Sequence, residues 1–357
     1  YRMKLFFITI FVFILSTPSF TSVKEVKKMV YKSEKYNLGL KKKDTTVNGL
    51  KLKPLMNKEA FENAVKKNYG WLDYGFNIVH AQDGEPVRWG DTSQRFELRI
   101  DDCGFIYKNK TYRDCIRRPP KHRFEVGQGM NNDASLGFKH GEEFWYTFSY
   151  YLPKDFKKTR DTFTIFQFHS DKGPYPPIFN IRVTSILGLT VDISTSQGAF
   201  NEDTNACGGS VKFKVNVCEE IQLKYIIEDN EKKINKMFGG KWVDFIIHTI
   251  WDNSPSDHDS NKGLFEVFIN GKKKVHYEGQ TAWDIGRAVV QYGIYEKKIP
   301  QYGYSYNDLK TIPMIAYYDE IWAKKKCSQL KLKRLGYSCK LLEAQSNEIT
   351  KPSLRER

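Results

Sequence analysis

From Ile78 to Trp322 the chain alternates apolar and polar residues with a period of two, interrupted at short intervals by Gly, Pro, Asn or Asp. Such alternation describes strands with one buried face. Phe96, Leu98 and Ile100 alternate with Arg95, Glu97 and Arg99, and the run Phe144 to Tyr151 is aromatic almost throughout, ending at Pro153. Further strands are predicted over 163–169, 178–184, 186–193, 211–217, 242–251, 264–270, 274–278, 288–295 and 314–322. Asn270-Gly271, between the apolar runs 264–269 and 272–277, predicts a two-residue hairpin of type I′. Ten or more short strands with few long helical stretches predict an all-β fold, a two-sheet β-jelly roll of the concanavalin-like sandwich kind. The segment Asn57 to Asn68 adds a short N-terminal helix with Ala60, Phe61 and Val65 inward.

The two ends depart from this pattern. Tyr1 to Lys4 is basic, Leu5 to Leu15 is an eleven-residue apolar run, and small and polar residues follow through Ser22. These are the parts of a secretory signal peptide, and the run is short of the roughly 20 residues of a membrane span. An uncleaved membrane anchor is the competing reading. No Cys follows the run, which argues against lipid attachment there. The expected organisation is a signal peptide over 1–22, a Lys-rich leader over 23–60, a jelly-roll domain over 61–340 and a flexible tail over 341–357. Location is expected to be secreted or periplasmic, with no stable membrane span once the signal is removed.

Export changes the meaning of the six cysteines, because oxidising compartments favour disulfides over metal thiolates. Fifteen pairings are formally open. The sequence neighbours Cys103/Cys115, Cys207/Cys218 and Cys327/Cys339 are favoured, each closing a short loop. Charge narrows the choice of partner further. The formal net charge is +15, yet residues 1–60 hold 13 basic and 4 acidic side chains, 324–357 hold 10 and 3, and the body holds 34 and 35. A nucleic-acid partner is therefore excluded for the body, which lacks the clustered cations that phosphates require.

Within the strands, residues two apart share a face. Gln167 and His169 stand together opposite Phe166 and Phe168, Asn180 and Arg182 opposite Phe179, Ile181 and Val183, and Gln291 and Tyr295 share a face across Gly293. A polar row opposite an apolar one is also what any half-exposed sheet presents. The order of three motifs adds information: RFELR (Arg95 to Arg99), QFH (Gln167 to His169) and QYGIY (Gln291 to Tyr295). In that order they resemble the signature strands of the jelly-roll polysaccharide lyases of the heparin lyase I and glucuronan lyase type, within the alginate-lyase-like superfamily. Gly141 to Pro153, Trp242 to Trp251 with the Phe265 to Gly271 hairpin, and Tyr317 to Trp322 support the likeness, which covers about residues 75–325.

The resemblance implies a secreted enzyme that cleaves a uronic-acid-containing polysaccharide by β-elimination: the C5 proton is removed, O4 leaves, and an unsaturated uronate forms. It implies Tyr295 as acid and also candidate base, with His169 as base or as carboxylate partner. Gln167 and one arginine, Arg99 or Arg123, would neutralise the carboxylate. Arg123 enters because Arg123-Phe124-Glu125 is a second match to the arginine strand, in which case Arg95 to Arg99 form the strand before it. Arg95, Arg123, Asn180, Arg182 and Gln291 are the candidate substrate contacts; Gln291 stands where the family often has a basic residue. No cofactor is implied for the chemistry. Related lyases often hold a structural calcium, for which Asp319 is the candidate ligand. The expected partner is an anionic polysaccharide, and the expected state is a monomer. Competing classes are a non-catalytic lectin-like carbohydrate-binding module and a glycoside hydrolase. The second needs paired carboxylates about the scissile bond, and Asp319 and Glu320 are adjacent and face opposite sides.

Overall fold

The computed structural model describes residues 45–47, 50–54, 74–98, 105–107, 110–112, 122–127, 138–154, 163–170, 176–184, 188–197, 219–228, 236–254, 259–283, 287–296, 314–345 and 353–355. The strands, in chain order, are β1 (Thr45–Val47), β2 (Leu50–Pro54), β3 (Phe76–His80), β4 (Thr92–Leu98), β5 (Phe105–Tyr107), β6 (Lys110–Tyr112), β7 (His122–Gly127), β8 (Glu143–Leu152) and β9 (Phe163–Ser170). They continue with β10 (Phe179–Thr184), β11 (Gly188–Gln197), β12 (Glu219–Glu228), β13 (Lys241–Ile250), β14 (Leu264–Ile269), β15 (Lys272–Glu278), β16 (Ala288–Glu296), β17 (Met314–Lys324) and β18 (Ser353–Arg355).

A nine-stranded sheet runs β1-β2-β7-β16-β9-β10-β11-β12-β18, a seven-stranded sheet runs β15-β14-β13-β8-β17-β4-β3, and β5 with β6 forms a separate hairpin. The all-β two-sheet jelly roll expected from the alternation is what the chain forms. Its core lies between the large sheets, where Phe148 stacks on Phe166 and Phe245 at 4.7 Å and Phe96 packs edge-on against Tyr318 at 5.2 Å. One polar contact crosses this layer where the Tyr292 hydroxyl donates to Gln94 Oε1 at 2.8 Å.

Strand β8 explains its own unusual composition. Phe144, Tyr146, Phe148, Tyr150 and Leu152 face the inter-sheet core. Trp145, on the opposite face, joins a second apolar cluster with Ile246, Phe268, Cys327, Leu330, Leu332 and Leu342. The C-terminal segment 325–345 thus covers part of the outer face of the seven-stranded sheet. It is built from two 3₁₀ turns and a short helix, α1 (Cys339–Glu343), closed by the Cys327–Cys339 disulfide. Against the flexible tail expected over 341–357, Leu342 is buried in this cap and Ser353–Arg355 pairs with β12 in the nine-stranded sheet. The predicted hairpin is present: Asn270 and Gly271 both have positive φ, 47° and 76°. A Cβ on Gly271 would come within 2.7 Å of the Tyr337 ring, so the cap adds a packing reason for glycine there.

Strand β12 was not among the predicted elements. It opens on Glu219-Glu220, and among its residues with described side chains Leu223, Tyr225 and Ile227 carry the apolar face. The predicted helix over 57–68, the strand over 211–217, the segment 1–22 and four of the cysteines (Cys103, Cys115, Cys207, Cys218) lie outside the described residues.

Candidate active site

The nine-stranded sheet carries most of the candidate residues on the face turned away from the core. Cross-strand register aligns them in two rows. In the first, Gln291 stands opposite Gln167, Gln167 opposite Asn180, Asn180 opposite Asp192, and Asp192 opposite Lys224, so one polar row crosses β16, β9, β10, β11 and β12. In the second, Arg123 stands opposite Tyr295, Tyr295 opposite Thr164, Thr164 opposite Arg182 and Arg182 opposite Thr190. Simple alternation would have turned Thr164 toward the core with Phe166. A register shift at Ile165 prevents this: Ile165 joins the core and Thr164 turns to the polar face. Across β16 and β9 the register also shifts, between Tyr292 and Tyr295.

One residue of the opposite sheet meets both irregularities. The Tyr318 hydroxyl lies 2.6 Å from the Ile165 carbonyl and 2.7 Å from the Gly293 carbonyl, and it has one proton to donate between them. Burial pushes its pKa well above the usual tyrosine range, so it stays a donor.

Gln167 sits at the centre. Its Nε2 donates to Glu125 Oε1 at 2.8 Å and to Gln291 Oε1 at 2.9 Å. Both amide protons are therefore engaged, and the amide oxygen, which has no hydrogen-bond partner, is what Gln167 has to offer. One of those donations already goes to a carboxylate, that of Glu125, so the expected donation to a substrate carboxylate would require Gln167 to exchange a partner. Glu125 is buried and stands opposite Gly293 in register. His169 stands two residues from Gln167 and is half-buried, with Nδ1 2.9 Å from the Ser170 carbonyl. A carbonyl only accepts, so Nδ1 carries the proton and Nε2 is the basic nitrogen of the neutral ring.

Arg182 forms a buried ion pair with Asp192, which compensates its charge. Asn180 Oδ1, Asp192 Oδ1, Thr164 Oγ1 and Thr190 Oγ1 are buried without a hydrogen-bond partner. Tyr295 is buried as well, at 7% exposure.

Other expected residues lie elsewhere. Arg95 is on β4 of the seven-stranded sheet, pairs with Glu97 at 2.6 Å, and does not join this group; β4 ends at Leu98, and Arg99 lies outside the described residues. Asp319 accepts from the backbone N–H groups of Arg88 (2.8 Å), Trp89 (3.0 Å) and Glu320 (2.6 Å). Burial raises its pKa, and those donors oppose the rise. Its carboxylate anchors the 84–91 loop, the use a strand-end Asp makes of turn N–H groups, and calcium coordination there is not supported. No group of three or more His, Cys, Asp or Glu suited to a metal occurs among the described residues. Sequence reasoning missed Glu125 as a site member, Thr164, Thr190, Asp192 and Lys224. Asp192 and Thr190 were readable, since they alternate with Leu189, Val191 and Ile193 in a predicted strand. Thr164 was not, because the register shift that turns it outward leaves no local mark.

A family model described as polysaccharide lyase matches residues 67–322. No curated protein sequence matches the chain. Among solved structures, the chain is similar to an endo-β-1,4-glucuronan lyase from the fungus Trichoderma reesei, at 14% identity and a TM-score of 0.46 over 71% of this chain and 89% of that one. It is also similar to alginate lyase PA1167 from Pseudomonas aeruginosa, at 12% identity and a TM-score of 0.36 over 71% and 99%. A third is alginate lyase A1-II′, a member of polysaccharide lyase family 7, at 10% identity and a TM-score of 0.37 over 70% and 94%.

Proposed function

The chain belongs to the polysaccharide lyase family, and on that premise we propose that it cleaves a uronate-containing polysaccharide by β-elimination, with Tyr295 and His169 as the proton-transfer pair. The C5–H bond breaks and its proton passes to His169 Nε2. The electron pair becomes the C4=C5 double bond, the C4–O4 bond breaks, and O4 takes the Tyr295 phenol proton. Solvent exchange then returns a proton from the imidazolium to the tyrosinate. Removing a proton α to a carboxylate builds negative charge on it, which must be met by fixed donors or cations. Arg123, opposite Tyr295 in register, is assigned that task, because Arg182 is compensated by Asp192 and the Gln167 protons are engaged. Gln167, held between Glu125 and Gln291, keeps the floor between the pair in place.

The observation that supports this reading is the shared face. Tyr295, Thr164, Gln167 and His169 lie on one surface of one sheet, Arg123 is the register partner of Tyr295, and the hydrogen bond at His169 leaves its basic nitrogen at Nε2. A non-catalytic binding module gives way to membership of an enzyme family. Export to an oxidising compartment fits the disulfide Cys327–Cys339 and the apolar run Leu5 to Leu15.

The test is to incubate the full chain with a panel of glucuronan, alginate and glycosaminoglycan polymers and follow the ultraviolet absorbance of the unsaturated uronate. At least one polymer should yield it, and Tyr295→Phe should lower kcat by about 10²–10⁴-fold with the thermal midpoint unchanged. Absence of unsaturated ends from every uronan would overturn the reading.

A further inference from the structure

On the outer face of the seven-stranded sheet, the end of β17 carries a group of side chains that the proposed chemistry does not use, centred on Trp322, which is half-buried against the second apolar cluster. Three cations converge on one indole. Lys324 Nζ lies 5.5 Å, Lys331 Nζ 5.6 Å and the Arg334 guanidinium carbon 5.3 Å from the Trp322 ring centroid. Arg334 also lies 5.9 Å from the ring of Trp89, which is 49% exposed. Indole faces attract cations, yet gathering three like charges around one ring sets them against each other.

Compensation is incomplete. Glu320 receives Arg334 through two hydrogen bonds of 2.6 Å. Among the described residues, no carboxylate pairs with Lys324 or Lys331. The nearby ion pair of Lys325 with Glu142, at 3.5 Å, uses a different lysine. The described part of the segment, 324–345, has Lys324, Lys325, Lys326, Lys331, Lys333, Arg334 and Lys340 against Glu343 alone.

The arrangement is also held firmly. The Cys327–Cys339 disulfide and the apolar contacts of Leu330 and Leu332 fix the segment that bears Lys331 and Arg334. Asp319 takes the backbone N–H of Trp89 and fixes the loop that presents its ring. Arg334 lies near that ring, about half of which is exposed.

We propose that Trp89, Trp322, Lys324 and Lys331 form an accessory binding surface for an anionic polysaccharide strand, distinct from the polar floor of the other sheet. The open face of Trp89 stacks on a sugar ring, and the two lysines meet the carboxylates along the strand; Arg334, engaged by Glu320, spaces the two indoles. The choice of ligand rests on the uronate reading above. Joining a second contact to the same polymer raises its effective concentration at the cleft without touching the chemistry.

The experiment uses the full chain. In the Tyr295→Phe background, in which cleavage is slowed as above, affinity electrophoresis measures retention by the uronan that the parent protein degrades. Trp89→Ala combined with Lys324→Glu and Lys331→Glu should weaken retention about five- to tenfold, and added salt should weaken the parent more than the variant. Trp89→Tyr should keep most of it. In the active chain the same triple change should raise KM for long polymer and leave kcat and KM for oligosaccharides filling only the cleft unchanged. Unchanged retention, or an equal loss on short oligosaccharides, would overturn the proposal. So would intact polymer retention with loss of binding to phosphatidylglycerol vesicles, which would make the surface a membrane contact. Failure of the lyase reading would show separately, as absence of unsaturated ends with the parent while Trp89-dependent retention persists.

Discussion

The outer faces of the two sheets differ in how completely their buried carboxylates and amides find partners. On the seven-stranded sheet, Asp244 receives Arg88 through Nε (3.0 Å) and Nη2 (2.9 Å), the Ser149 hydroxyl (2.6 Å) and the Tyr337 hydroxyl (2.7 Å). Burial pushes its pKa up, and these donors outweigh burial and hold it below the usual carboxylate range. Glu266 nearby meets Lys273 at 2.7 Å and His248 at 2.9 Å. On the nine-stranded sheet, Gln167 Oε1, Asn180 Oδ1, Asp192 Oδ1 and Thr190 Oγ1 are buried and unbonded. An unsatisfied buried polar atom costs roughly 1–3 kcal/mol, so folding alone does not favour such a row. One face closes its buried carboxylates on donors of its own, and the other leaves several polar atoms open, as the proposed binding of a polymer rich in hydroxyls and carboxylates would require.

The contrast makes each face respond differently to substitution. Asp244→Ala should produce the largest loss of stability, on the order of 3 kcal/mol, because it strands a guanidinium and two hydroxyls at once. Chemical denaturation would measure it, and a change under 1 kcal/mol would show the closed network to be ornamental.

Next is Glu266, whose pKa is lowered to about 2 by His248 and Lys273 acting against burial. A depressed carboxylate pKa contributes stability that is full above the unfolded value near 4.5 and is lost as pH falls toward about 2. Glu266→Gln should therefore be roughly 2 kcal/mol less stable at pH 7, and the gap should close across that acidic window. A pH-independent difference would contradict the assignment.

On the open face the sign reverses. Asn180→Leu should raise stability by about 1 kcal/mol, since it removes a buried polar atom that nothing pairs, while turnover of polymer falls at least tenfold. A variant that is less stable and fully active would place Asn180 on the wrong side of the comparison.

The smallest effects distinguish two neighbouring phenols of the core, Tyr318 and Tyr150, whose rings lie 4.9 Å apart. Tyr150 has a buried hydroxyl with no partner. Tyr150→Phe should shift stability by less than about 0.5 kcal/mol in either direction. Tyr318→Phe, which releases two strand carbonyls, should cost about 1 kcal/mol and lower kcat with KM little changed.

Much of this architecture was legible in the sequence, because alternation survives wherever a strand has one buried face. Strands β8 to β10, β13 to β16 and the Asn270-Gly271 turn follow directly from it. Sheet membership does not. Arg95-Phe96-Glu97 and Arg123-Phe124-Glu125 are the same tripeptide. The first pairs with β17 in the seven-stranded sheet and the second with β16 beside Tyr295. Only contacts far apart in sequence distinguish them. Gln167 illustrates a second limit: its position was readable, but the partners of its amide protons, on strands 42 and 124 residues away, were not. Asp319 illustrates a third, since a carboxylate that collects backbone N–H groups and one that collects a cation are identical in sequence.

The two polar rows are separated by two residues on β10 (Asn180 to Arg182), three on β9 (Gln167 to Thr164) and four on β16 (Gln291 to Tyr295). Because the rows stay paired from strand to strand, the extra residues are taken up in bulges, which bend a strand and increase its twist rather than lengthen it. The sheet therefore changes course beneath the candidate residues, and the Tyr318 hydroxyl reaches both strands there from the opposite sheet, at the Ile165 and Gly293 carbonyls. A substitution deep in the core at Tyr318 thus has a backbone route to the outer face.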